Sequence, residues 1–398
     1  MDDSWLPALA DLAVRGGANV QPGQVVSLSC QPGQERLARE VAHAAYRAGA
    51  KYVEVAWHDP FVKRARALHA ADDTLAWVPP WLGERAKHLG RMSAAIVSLS
   101  GPVAPGVFDD CDPARVARDR LPSIPETMAL VMESSVNWTV VPCPNPAWAA
   151  MVFPDLGADA ALARLTEAIV HVCRLDTEDP VDAWRRRGAE LAERAARLSE
   201  MPIDALHFVG PGTDLTVGLF PSSRWLGGGE HRRDGLAHLP NIPTEEVFTT
   251  PDPARTEGVV TATLPLDLAG TLVEGLRVRF EGGRAVEITA DRGAEAMRGR
   301  VAADDGAARL GEVALVDGSG RIGPLGITFN DTLLDENAAS HIALGAAYPA
   351  GVGAEHRAAA NVSDIHVDFM IGGPEVVVHA VAHDGTESPL LVRGEFAA

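Results

Sequence analysis

The two sides of Pro202 follow different periodicities, and that change restricts the chain to an architecture of two parts. Before it, short apolar runs alternate with stretches of helical spacing. Residues 24–30 follow Pro22-Gly23 and read as a strand. Residues 35–48 carry Leu37, Val41, Ala44 and Ala45 on one stripe, with Gly49 where a helix is capped. Residues 51–57 and 94–99 are the next strand-like runs. Strand, helix, strand at this spacing predicts a parallel sheet, because parallel neighbours need a crossover long enough to hold a helix. Two long helices follow, one over roughly 159–175 and one opening at Asp179-Pro180, an N-cap with proline at the first helical position. Trp184, Leu191, Ala195 and Leu198 give the second an apolar face before Pro202 ends it.

Beyond Pro202 the chain becomes rich in β-branched residues. Runs at 205–209, 214–219, 258–264, 275–280 and 284–289 read as strands, and Glu281-Gly-Gly283 as a hairpin turn. The expected fold class is therefore an α/β N-terminal domain with a parallel sheet over 1–202, followed by a strand-rich α+β domain over 203–398. A chain of 398 residues is long enough for two such cores.

Composition narrows the function. Hydrophobic residues make up 46% and charged residues 22%, as in a globular protein. A net charge of −19 repels phosphate backbones, so no nucleic-acid partner is expected. The four cysteines, Cys30, Cys111, Cys143 and Cys173, are widely spaced. That argues against a disulfide framework or thiolate zinc site and fits a reducing cytoplasm. No secretory signal and no membrane-spanning run is visible, so no membrane partner is expected. No Gly-rich fingerprint follows the first strand, which argues against a dinucleotide. Gly210-Pro-Gly212 lacks the later glycine and lysine of a phosphate loop and reads as a β-turn. Cys143 lies among prolines with no base indicated and reads as structural.

The strand-rich half also holds polar residues in unexpected places. Glu312 interrupts the apolar run 310–316, where a carboxylate costs several kcal/mol to bury unless paired or metal-bound; the alternative is a strand end that touches solvent. His366 and Asp368 interrupt the run 365–371 and, two residues apart on a strand, share one face. Glu245 and Glu246 are adjacent in the segment 241–249. The segment from Asp335 to His341 crowds further candidates together. Its alanines suggest a helix near His341, with Tyr348 about two turns on along the same face and Asp335 or Asn337 as N-caps. Imidazole and carboxylate are donors that zinc-type metals accept. By residue type alone, a metal site and a set of structural residues both remain open.

Five stretches, in this order, carry a family resemblance: GPGTDLTVGL from Gly210, NIPTEEVFTTPD from Asn241, LGEVALV from Leu310, DENAASHIALGAAYP from Asp335 and IHVDFMIGGPEV from Ile365. They resemble the thermophilic aminopeptidase family of dinuclear metallopeptidases, the AmpS, AmpT and PepS group, and weaker likeness extends through the N-terminal half. The resemblance makes 203–398 the metal-binding catalytic domain. It implies Glu246, Glu312, His341, His366 and Asp368 as metal ligands, with Glu246 preferred to Glu245 by motif spacing, and Glu312 and Tyr348 as catalytic residues. It further implies two divalent ions (zinc, cobalt or manganese), short peptide substrates and a homodimer. The stretch between His341 and His366 is shorter than the family leads one to expect, which could alter access to the site.

Two ions about 3.5–4 Å apart can share a water and lower its pKa towards neutrality, giving a nucleophile for the first peptide bond. In that scheme Glu312 steers the water proton and Tyr348 donates to the developing oxyanion. Two other readings use the same residues. A mononuclear non-haem iron ring-cleaving dioxygenase needs only two histidines and a carboxylate, which His341, His366 and Asp368 would satisfy. A non-catalytic relative would reuse the site for binding.

Overall fold

The computed structural model describes residues 3–122, 124–268 and 270–397. They fall into two compact units, one of Met1–Gly188 with Gly229–Thr244, the other of Ala189–Gly228 with Glu245–Ala398. The division lies within the long helix Pro180–Glu200.

The first unit is built on four strands, β1 (Val25–Cys30), β2 (Tyr52–Trp57), β3 (Ala95–Ser100) and β4 (Asn137–Pro142). They form a wholly parallel sheet in the order β2-β1-β3-β4, with helices in every crossover. The helix Glu35–Arg47 buries Leu37, Val41, Ala44 and Ala45, the stripe its spacing predicts, and Gly49 just beyond it takes φ +91°. β4 is a strand the sequence reading did not single out. The side chain of Asp179 accepts from the Asp182 backbone N–H at 3.0 Å, capping the last helix as anticipated.

The second unit is strand-rich, and every pairing in its two large sheets is antiparallel. One sheet has eight strands: β5 (Ala205–Gly210), β6 (Thr213–Leu219), β8 (Pro251–Thr261), β9 (Arg277–Glu281), β10 (Arg284–Thr289), β14 (Val377–Val381), β15 (Glu387–Val392) and β16 (Glu395–Phe396). Their order is β10-β9-β8-β6-β5-β14-β15-β16. The other sheet has four: β7 (Glu246–Thr249), β11 (Leu310–Val316), β12 (His341–Gly345) and β13 (His366–Met370), in the order β13-β12-β11-β7. Gly282 and Gly283 both have positive φ, as a two-residue turn between β9 and β10 requires. Pro211 and Gly212 turn the chain from β5 to β6, so the Gly-Pro-Gly motif is a hairpin turn.

One hydrophobic core serves both sheets. Leu206, Phe208, Leu215, Val217, Val278 and Val378 come from the larger sheet, and Val247, Val313, Leu315, Ile342, Leu344, Val367 and Phe369 from the smaller. Each such side chain, fully buried, contributes roughly 1.5–3 kcal/mol. Among the described residues no helix is long and apolar enough to cross a membrane.

The expected helix around His341 is corrected here. Only Thr332–Asp335 is helical, and His341–Gly345 is the strand β12, flanked on both sides by β11 and β13. Alanine favours helix only weakly against tertiary context. Two neighbouring strands satisfy the backbone of β12, and its small residues leave space on one face of the sheet.

Candidate metal centre

Alternation along the four strands of the smaller sheet sorts its side chains. Val247, Val313, Leu315, Ile342, Leu344, Val367 and Phe369 enter the core. The intervening positions therefore share the opposite face: Glu246 and Phe248 on β7, Glu312 and Ala314 on β11, His341 and Ala343 on β12, His366 and Asp368 on β13. The register lines them up across the sheet. Asp368 lies opposite Ala343 and Ala343 opposite Glu312, while His341 lies opposite Ala314. Alanine at 343 and 314 leaves room for the longer polar side chains to meet above it.

They do meet. His341 Nε2 is 3.0 Å from Glu246 Oε2 and 3.7 Å from Glu312 Oε1. His366 Nε2 is 3.4 Å from Glu312 Oε2 and 3.4 Å from Asp368 Oδ1. Two groups of metal-type donors result, Glu246/Glu312/His341 and Glu312/His366/Asp368, with the donor atoms in each all within 4.8 Å of one another. Glu312 belongs to both and turns one oxygen to each histidine. The bulge that sets its register falls at Gly311, where a Cβ would come within 2.3 Å of the Ala346 carbonyl oxygen.

The histidines are oriented as metal ligands are, with Nε2 turned to the carboxylates. Nδ1 of His341 lies 3.2 Å from the Ala339 carbonyl, and Nδ1 of His366 lies 2.8 Å from the Ala346 carbonyl. A carbonyl only accepts, so Nδ1 carries a proton, and Nε2, which faces the carboxylates, is the nitrogen left to bind a metal once its own proton is gone. Burial alone would lower the pKa of both rings. The carboxylates outweigh it and hold both well above the usual histidine range, Glu246 acting chiefly on His341 and Asp368 chiefly on His366. Conversely, burial raises the Glu246 carboxyl, while the two histidines hold Glu312 low and His366 holds Asp368 low against their burial.

The donor set fits divalent cations. Oε2 of Glu246 is buried with His341 Nε2 3.0 Å away but no hydrogen bond of good geometry, and a buried carboxylate oxygen held that loosely is costly. Mixed imidazole and carboxylate donors suit zinc, cobalt or manganese.

Tyr348 lies beyond the end of β12, not on a helix shared with His341. Its ring still reaches the site, edge-on to His366 with centroids 5.3 Å apart and 5.5 Å from the Phe248 ring. Glu245 points elsewhere: its side chain packs against Gly320 and accepts from the Arg321 N–H at 3.4 Å. Asp335 and Asn337 are not N-caps. Asp335 is buried near the end of its short helix and accepts from the N–H groups of Phe329 and Asp331; burial pushes its carboxyl up to about 7. The Asn337 side chain accepts from the Glu245 N–H at 2.6 Å and donates to the Leu333 carbonyl at 2.9 Å, fixing the residue just before β7.

Glu336 is a buried carboxyl that feels the charges of the cluster and that the sequence reading did not single out. It is buried, and its Oε1 lies 3.4 Å from Nδ2 of Asn337. Burial pushes its carboxyl well up, and the charges of Asp368 and Glu246 push it the same way. Its place in the crowded Asp335–His341 segment was the only signal, since neither periodicity nor the matched motif distinguishes it. Cys143 is buried with its thiol pushed up to about 12, as a structural cysteine should be.

A model of the thermophilic metalloprotease (M29) family matches residues 2–396. The chain belongs to that family. Among similar sequences within it, aminopeptidase T of Thermus thermophilus is 42% identical, with 98% of each chain covered. Aminopeptidase PepS of Streptococcus thermophilus is 38% identical, covering 98% of this chain and 97% of the relative. The solved structure of wild-type AmpT from Thermus thermophilus superposes with a TM-score of 0.87 at 41% identity, covering 99% of both chains. The fold class expected from the sequence is the one this family adopts. The ring-cleaving dioxygenase alternative has no support among these relatives.

Proposed function

We propose that this metalloprotease-family chain is an aminopeptidase that removes the N-terminal residue of short peptides. The observation that carries the reading is Glu312, one carboxylate turned to both histidines at the centre of two donor groups. Glu246, Glu312 and His341 would hold one divalent ion, and Glu312, His366 and Asp368 a second, drawn from zinc, cobalt and manganese. When bound, such ions supply Lewis acidity and a water that ionises near neutral pH.

The chain's own residues do the rest. Nδ1–H bonds to backbone carbonyls fix the planes of His341 and His366. Glu312 would take the proton of the attacking water on a carboxylate oxygen and pass it to the departing nitrogen as the peptide bond breaks. The Tyr348 hydroxyl donates to the oxygen on which negative charge develops as the carbonyl is attacked. Asn337 anchors the backbone that delivers Glu246. Residues 203–398 would act as the catalytic domain, in a homodimer. Four buried free cysteines are compatible with a cytoplasmic setting.

The test is to strip the protein with chelator and assay leucyl and other aminoacyl chromogenic substrates while adding zinc, cobalt or manganese. Hydrolysis that returns with metal, and is absent on N-acetylated substrates, supports the reading. No hydrolysis with any of the three metals would contradict it.

A further inference from the structure

A second histidine–carboxylate cluster lies on the eight-stranded sheet, on the face turned away from the core. His207 of β5 and His379 of β14 are directly opposed across the pairing of their strands. Their neighbours Leu206, Phe208, Val378 and Ala380 all enter the core, so both imidazoles stand on the outer face. Glu387 of β15 and Asp214 of β6 reach them from either side. Glu387 directs Oε1 to Nδ1 of His207 at 3.1 Å and Oε2 to Nδ1 of His379 at 3.9 Å. Asp214 Oδ1 takes the other nitrogen of His207, Nε2, at 2.9 Å.

We propose that His207, His379 and Glu387 form a separate surface site for a zinc-type divalent cation, with Asp214 orienting His207 from behind. Four features point there. Both histidines turn Nδ1 towards the same carboxylate. His207 Nδ1 lies 3.1 Å from Glu387 Oε1, near the edge of a tetrahedral site, about 3.3 Å for bonds of 2.0–2.1 Å, and His379 Nδ1 faces the other oxygen at 3.9 Å. The ring centroids are 6.2 Å apart, within about an ångström of the spacing that two imidazoles on one tetrahedral ion adopt. Finally, His207 already carries the outer carboxylate that metal-bound imidazoles usually have on their second nitrogen. The donors are two imidazoles and a carboxylate, a set for zinc, nickel or copper rather than calcium or magnesium. Partial exposure leaves a coordination position for water. An ion there would clip β5, β14 and β15 together, and it plays no part in peptide hydrolysis.

Wild type, His379→Ala and Glu387→Gln are compared by equilibrium dialysis against zinc near neutral pH, with leucyl anilide turnover measured in parallel. Both positions are partly exposed, so both variants are expected to fold. The expected result is one zinc fewer per chain in each variant, with turnover unchanged. Equal zinc content in all three proteins overturns the site. A lost zinc accompanied by lost turnover also overturns it, since the ion would then belong to the buried cluster. The difference in zinc content decides the matter even if the chain hydrolyses none of the substrates tried.

Discussion

Two clusters on two sheets of the same unit use the same vocabulary of paired histidines sharing a glutamate. They differ in their surroundings. Around Glu312 the side chains are nearly sealed, with His341 at 1% and Glu312 at 6% exposure, whereas His207 and Glu387 keep 21% and 44%. Buried carboxylates that outnumber their histidines carry a desolvation cost that ion pairing alone offsets poorly. Divalent cations would remove that imbalance, which is why the inner cluster is the one we propose to hold the ions. At the surface, water screens the same pairs, each worth at most about 1 kcal/mol, and an ion there is an addition to a structure that stands without it. Burial, more than residue type, separates the proposed catalytic centre from the proposed surface site.

Substitutions can break this contrast at several depths. The largest effect is expected from His341→Ala, which removes a buried donor facing both Glu246 and Glu312. Turnover of leucyl anilide should fall by more than the roughly 100- to 1,000-fold typical of a lost oxyanion donor. Retention of near-normal turnover would remove His341 from the site. Tyr348→Phe keeps every donor and should lose about 100- to 1,000-fold in kcat with metal content intact. Unchanged kcat would take the tyrosine out of the mechanism.

Glu336→Gln alters a buried carboxylate outside both donor groups. Metal affinity, measured by competition with a chromogenic chelator, should weaken about 10- to 100-fold, as for an outer partner of a metal site. Affinity equal to wild type would make Glu336 irrelevant to the ions.

The last change concerns stability and leaves the donor groups untouched. Folded Asp335 keeps its proton up to about pH 7, whereas an unfolded aspartate releases it near 3.8. The native state therefore holds more protons between these values, and unfolding free energy falls as pH rises through them, by up to about 4 kcal/mol. Asp335→Asn should flatten that part of the pH–stability curve, and denaturant midpoints against pH will reveal whether it does.

Much of this was legible in the sequence, for reasons that particular elements make plain. Glu312, His366 and Asp368 stood out because each interrupts an apolar run, and period-two alternation correctly assigned them to strands. The helix Glu35–Arg47 and the hairpin at Gly282-Gly283 follow from local rules of spacing and turn geometry. The environment of His341 did not. Ala338, Ala339, Ala343, Ala346 and Ala347 suggest helix to any local reading, yet in β12 Ala343 serves as a spacer between Glu312 and Asp368. Local propensity cannot anticipate a strand whose reason is the space it leaves. Glu336 was hidden for a related cause: its closeness to the cluster depends on how the Thr332–Asp335 turn packs, and no period records that. The outer cluster of His207 and His379 was equally silent, because only the pairing of β5 with β14 makes those two residues neighbours.

The central claim is that a single carboxylate, Glu312, holds the two donor groups together. The most direct measurement is the number of tightly bound ions in Glu312→Gln beside wild type, both carrying His379→Ala to silence the outer cluster, with circular dichroism confirming the fold. The expected result is two ions per chain in the parent and neither retained tightly in the variant. A variant that folds and still holds both ions would contradict the account.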